Sequence, residues 1–347
     1  MKKVAISLVL LFLACACFAN DTLVQKNTGG NDYIIGEAKD IIIESEILQI
    51  DLFDDYYHVS VDYVFRNEGA EAVLEVGFPE IEYYKTTDDV TPVILDDPKR
   101  LKLSNFKTSV NGVNQKVEIE DADIYIKPKV HSKESWENIR HFYKKTVTFP
   151  AKQKTNIHVE YDTSYGSSYW FHIADYLLGS AICWGGIENL KVIAVLNSTN
   201  SFLAFPSNNF SYCMKENTPV DIHVETENEL RKLILSYKDL NLELGTKLKF
   251  ATDRTSSGIF GLPWDYTFNV CVYPRAMFEM LTKEQLRLSR NMVFAFHGYK
   301  FKDKKLEERF KEFWFYKDDA KSFSESSFND KERANLELIM SVEKEKL

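Results

Sequence analysis

Apolar and polar side chains alternate through the first two-thirds of the chain. Tyr57, Val59, Val61, Tyr63 and Phe65 alternate with His58, Ser60, Asp62 and Val64. A period of two sorts side chains onto opposite faces, which predicts a half-buried strand. Asn67-Glu-Gly69 supplies a turn in which glycine can take positive φ. Val73, Leu74, Val76 and Phe78 form the return, stopped by Pro79, so the pair predicts a β-hairpin. Strand patterns open at Ile41 and run through Ile47, Ile50 and Leu52. They resume at Phe106, Thr108 and Val110, where Asn111-Gly112 is a two-residue hairpin turn and Val117 and Ile119 return. Thr146 to Tyr161 is strand-like around Pro150.

Two stretches break this rhythm. Glu80 to Ser104, with Pro92 and Leu95-Asp-Asp-Pro98, predicts a long irregular loop. In Ser132 to Lys144, Trp136, Ile139 and Tyr143 fall at i, i+3 and i+7, which predicts a helix capped by Ser132. A second β-rich block follows. Its strand patterns cover Leu190 to Leu196, Lys232 to Tyr237, Leu240 to Leu244, Leu248 to Phe250 and Thr267 to Tyr273. Strands spaced this way suggest sandwich-like packing rather than βαβ units.

The C-terminal stretch switches to a helical period. Thr282-Lys-Glu-Gln285 is a capping-box pattern, followed by two neighbouring apolar faces: Leu288, Met292 and Ala295 on one, Leu286, Val293 and Phe296 on the other. His297 falls in the last turn, where it suits the helix dipole or bonds local backbone, and Gly298 falls at the C′ position. Asp303 caps a second helix carrying Leu306, Phe310 and Phe313, and Trp314-Phe-Tyr316 follows. Asn329-Asp-Lys-Glu332 starts a third, with Ala334, Leu336, Leu338 and Ile339 apolar.

The predicted architecture is therefore α+β. Residues 1–19 form a signal peptide, 20–38 a loose leader, 39–165 a β-sandwich-like domain, 166–277 a second β-rich domain and 278–345 a small three-helix domain. The signal rests on Lys2, Lys3 and the apolar run Val4 to Ala16, too short to span a bilayer. Ordinary cleavage after Ala19 and lipoprotein processing at Cys17 both remain open; a diacylated Cys17 would be the chain's membrane contact. In an exported chain Cys183, Cys213 and Cys271 leave room for one disulfide or for three buried thiols.

Composition narrows the function. A formal net charge of -9, with charges interspersed, argues against nucleic-acid binding. No Gly-x-Ser-x-Gly, phosphate loop, dinucleotide fingerprint or His-Glu-x-x-His motif occurs. Glu118, Glu120, Asp121 and Asp123 cluster without EF-hand spacing, and His131 with His141 lacks a third ligand in sequence. No catalytic residue, metal or cofactor is expected.

Linked motifs in the C-terminal stretch resemble the YARHG domain. Arg290-Asn291 precede the helix end, and Phe294-Ala295-Phe296-His297-Gly298 stands where that family has Tyr-Ala-Arg-His-Gly. Tyr299-Lys-Phe301, Leu306 to Phe310, Phe315-Tyr316-Lys317 and Glu332 to Ile339 follow in order. Phe296 replaces the family's Arg, which removes a fork donor for carboxylate or phosphate. The upstream region, with Phe78-Pro79, Val110 to Gly112 and Phe149-Pro150, resembles an uncharacterised exported β-domain found before YARHG modules and is similar to VIT-type domains. These resemblances imply an exported, non-enzymatic scaffold carrying an interaction module. Its candidate binding residues are Arg290, Asn291, His297, Trp314 and Tyr316, and its partner a cell-wall glycan or an envelope protein. Two alternatives stand beside this: an extracytoplasmic hydrolase using a carboxylate pair, and a structural surface lipoprotein.

Overall fold

The computed structural model describes residues 28–30, 33–34, 40–85, 103–126, 135–167, 171–197, 203–204, 219–227, 230–240, 242, 246–253, 268–311, 313, 316 and 323–346. Seventeen strands precede four helices among these residues. The strands are β1 Thr28–Gly30, β2 Tyr33–Ile34, β3 Ile41–Leu52, β4 Tyr56–Asn67, β5 Ala72–Lys85, β6 Ser104–Val110, β7 Val113–Asn114, β8 Glu118–Ile126 and β9 Ser135–Phe149. They continue as β10 Lys154–Ser164, β11 Gly166–Ser167, β12 Phe171–Leu177, β13 Ile187–Leu196, β14 Leu203–Ala204, β15 Asp221–Glu227, β16 Leu230–Lys238 and β17 Lys247–Asp253. The helices are α1 Arg275–Glu279, α2 Lys283–Phe296, α3 Lys304–Lys311 and α4 Asp330–Glu345.

The strands form two sheets. One runs β14-β17-β12-β1-β5-β9-β8, and the other runs β15-β16-β13-β3-β4-β10-β6-β7. Their inner faces share a single hydrophobic core that includes Val59, Phe65, Phe78, Phe149, Val192 and Leu235. The expected boundary at residue 165 is not a break in either sheet: β13 pairs in parallel with β3, and β12 with β1. The expected loose leader contributes β1 and β2, which pair with β5.

Several local expectations are corrected. β4 and β5 are not a hairpin, because they belong to different sheets. Asn67, 2% exposed, makes the corner between them: its amide donates to the carbonyls of Ala70, Phe149 and Pro150, and its Oδ1 accepts from Gly69 N. Gly69 does not use positive φ. It is needed for space, since a Cβ there would lie 2.5 Å from the Asp40 carboxylate. β5 runs past Pro79 to Lys85, and Pro79 sits where the strand changes neighbour from β2 at Gly77 to β1 at Ile81. No registered partner lies opposite it on that side among the described residues, so its missing N–H costs no ladder bond there.

The helix expected over residues 132–144 is instead β9, paired along its length with β5 and β8. A bulge at Arg140 inserts one residue between Ile139 and His141 and shifts the period-two phase there. Asn111-Gly112 does turn β6 into β7, with φ of 50° and 78°, but Ile119 belongs to β8 of the other sheet and Val117 lies outside any strand. Leu240 and Leu242 are buried outside any strand. Phe268 to Tyr273 is turn and irregular chain rather than strand, with Phe268 packed into the helical core.

The helices form a second core around Phe278, Leu286, Val293, Phe310 and Ile339. α1 belongs to both regions: Met277 and Phe278 face the helices, while Ala276 and Met280 pack into the sandwich core. Arg231 of β16 donates to the Met280 carbonyl, and Lys346 donates to the carbonyls of Glu279 and Leu281. Desolvation lowers the pKa of both cations, as expected for charges drawn into a seam.

Candidate functional site

The helical domain positions the sequence-predicted binding residues. Thr282 and Gln285 form the capping box that starts α2. α2 ends in a Schellman motif: Tyr299 N donates to Phe294 O, Gly298 N donates to Ala295 O, and Gly298 has φ 77°. The Phe294 and Tyr299 rings close it at 5.8 Å. This sharp stop projects His297 toward the start of α4.

There His297 bonds two side chains from distant sequence, rather than local backbone as expected. Its Nε2 lies 2.9 Å from Glu332 Oε1, and its Nδ1 lies 3.0 Å from Ser327 Oγ. Glu332 is 1% exposed, and its other oxygen accepts from Asn329 N at 2.7 Å, completing the capping box of α4. One carboxylate thus caps a helix and holds the imidazole.

Serine, histidine and glutamate in contact invite comparison with a nucleophilic triad. A triad serine gives its proton to the imidazole. Ser327 Oγ instead donates to Ser324 O at 2.6 Å, so toward His297 it accepts. The N–H groups of Ser327 and Phe328 donate to the Ser324 and Glu325 carbonyls, which keeps them from serving as an oxyanion hole. The constellation staples α2 to α4.

Three of the other candidates are also engaged. Arg290 Nε faces Glu343 Oε2 of α4 at 3.3 Å, a carboxylate rather than the expected loop carbonyl. Asn291 donates to the Arg287 carbonyl one turn back, and the Tyr316 hydroxyl donates to the Tyr299 carbonyl. Trp314 lies outside the described residues, as do Cys17 and Cys213. Cys183 and Cys271 are half-buried.

Sequence reasoning missed a second buried constellation. Glu80 of β5, 1% exposed, accepts from Tyr143 hydroxyl, from Leu103 N and on its other oxygen faces His141 Nδ1 at 2.9 Å. Burial first, then the Glu80 charge, raises the Tyr143 pKa. Asp121 of the suspected acidic cluster reaches His141 Nε2 at 3.4 Å, and Glu120 pairs with Lys144. Only strand pairing brings these residues together, so no sequence spacing announces them. His131 and the Asp123 side chain lie outside the described residues. No group of three His, Cys, Asp or Glu arranged for a metal occurs among the described residues.

Residues 271–344 match the family model of the YARHG domain, and residues 19–127 match that of a domain of unknown function, DUF4424. No curated protein matches the chain in sequence. Among solved structures, a candidate nutrient-binding protein from Legionella pneumophila is similar at TM-score 0.50 and 17% identity, covering 92% of this chain and 100% of that chain. An M1 zinc metallopeptidase from Deinococcus radiodurans aligns at TM-score 0.31 and 7% identity, over 62% of this chain and 43% of that one, a likeness too remote to carry an argument. Among the described residues no helix is long and apolar enough to cross a membrane.

Proposed function

We propose that this chain is an exported envelope protein without catalytic activity, in which a β-sandwich holds a YARHG domain as an interaction module. The observation that carries this reading is the closure of the module's reactive groups. His297 is held between Ser327 and Glu332, and Arg290 is set against Glu343. Groups spent on holding helices together leave the module to act by shape and surface rather than by proton transfer. The YARHG match and the apolar N-terminal run favour an extracytoplasmic setting. Cell-wall glycan or an envelope protein is the partner proposed for the module.

The test compares retention of the intact chain on isolated envelope and wall material with that of a chain truncated before Phe268, its sandwich checked by circular dichroism. Retention by the intact chain alone supports the reading. Equal retention of both chains, or of neither, removes the module's interaction role.

A further inference from the structure

The outer face of the β3-β4-β10-β6 sheet carries a feature the helical domain does not need. Among the described residues, Tyr56 is the one aromatic side chain left exposed, at 42%. Its orientation is set in advance. Phe53 stacks on it with centroids 4.8 Å apart and planes inclined by 15°. The turn beneath is fixed by Phe53 N donating to Tyr56 O and by the Tyr165 hydroxyl donating to Phe53 O. Phe53 covers one face of the Tyr56 ring, so the exposed area is the opposite face and the edge.

Polar groups flank this ring. His58 lies two residues along the same face of β4, and Asp162 pairs with it across β10. Asp162 Oδ1 sits 2.6 Å from His58 Nδ1, and Asn105 Nδ2 donates to Asp162 Oδ2 at 2.6 Å. The carboxylate fixes both partners' orientation: His58 keeps Nε2, and Asn105 keeps Oδ1, for something else. The backbone is irregular at the same place. β6 bulges against β10, with Asn105 and Phe106 standing opposite Tyr161, and Asn105 holds φ 55°, a left-handed conformation uncommon for a residue with a side chain. Bulges re-aim side chains, and strained residues persist where the surroundings over-determine them.

We propose that Tyr56, His58, Asn105 and Asp162 form a saccharide-binding site on the outer face of the sandwich. A pyranose offers what these groups match: a C–H face for the ring, and hydroxyls at its rim for oriented acceptors and a carboxylate. Asp54 and Asp55, exposed in the same turn, disfavour an anionic ligand. The site lies wholly in the sandwich and goes beyond the role proposed for the helical module. Repeating the retention comparison with Tyr56→Ala in both chains removes sugar binding here from that test, so the two readings fail separately.

The test titrates the full chain with maltotriose and with chitotriose, following tyrosine fluorescence and calorimetry, with choline as a cationic control. Saturable binding of at least one trisaccharide is expected. Tyr56→Ala is expected to weaken it about tenfold and Tyr56→Phe to leave it within about twofold. Asn105→Gly suits the left-handed backbone and deletes only the amide, so it tests the same site in a folded chain, with binding weakened about fivefold expected. No saturable binding of either sugar, unchanged binding by folded Tyr56→Ala, or choline competing at Tyr56 in place of sugar overturns the proposal.

Discussion

The sandwich and the helical domain bury charge in opposite ways. The sandwich takes polar groups into its interior: the Tyr63 and Tyr176 hydroxyls meet at 2.8 Å between the sheets, and Tyr176 donates to buried Glu46 at 3.0 Å. Burial, reinforced by the Glu46 charge, raises the pKa of Tyr176 well above the usual phenol value. The helical domain builds its core from aliphatic and aromatic side chains and places carboxylates at helix starts, as with Glu332 and Asp303. In the first region polar contacts join strands far apart in sequence; in the second they mostly finish a local element. A lost contact should accordingly spread through the sandwich and stay confined in the helices.

The sharpest way to break this contrast is Asn67→Ala. It strands three carbonyls and one N–H at the inter-sheet corner, and a loss of about 4 kcal/mol is expected. Urea unfolding should show both sheets failing together; loss limited to one sheet would contradict the shared core. His297→Ala removes the staple and leaves Glu332 short of a partner, for an expected loss of about 2 kcal/mol. Hydrogen exchange should rise in α2 and α4 while β4 and β10 stay protected. Gly298→Ala forces a side chain into φ 77° and is expected to cost about 1 kcal/mol, confined to the end of α2.

The smallest effect is a pH dependence. Hydrogen bonds from Lys304 and then Lys311 hold the Glu307 pKa down, from 4.5 to about 2. A depressed carboxylate stabilises the fold above its unfolded value and loses that contribution as pH falls toward the folded one. α3 should therefore weaken between about pH 4.5 and 2. Glu307→Gln should flatten that slope in an acid titration followed by circular dichroism.

The same contrast explains what could be read from the sequence. Thr282, Gln285, Gly298, Asp303, Asn329 and Glu332 announce the helix ends because caps are local, and the structure places each where the pattern puts it. β4 is equally plain from alternation and β13 from its apolar run, whereas Thr146 to Tyr161 reads as one stretch and divides at Pro150 between β9 and β10 of different sheets. Their partners are not: the turn at Asn67 looks like a hairpin but feeds the opposite sheet, and the helical spacing of Trp136, Ile139 and Tyr143 belongs to a bulged strand. The candidate residues Arg290, Asn291 and His297 were visible as a motif. Their engagement by Glu343, Glu332 and Ser327 was not, because those contacts cross 30 residues or more.

The seam at α1 has a consequence for how the chain survives damage. Ala276 and Met280 sit in the sandwich core, and Arg231 and Lys346 grip the carbonyls that follow α1. The peptide linking β17 to α1 is therefore not what keeps the two regions together. A protease that cuts once between Asp253 and Phe268 should yield two polypeptides that still travel as one particle.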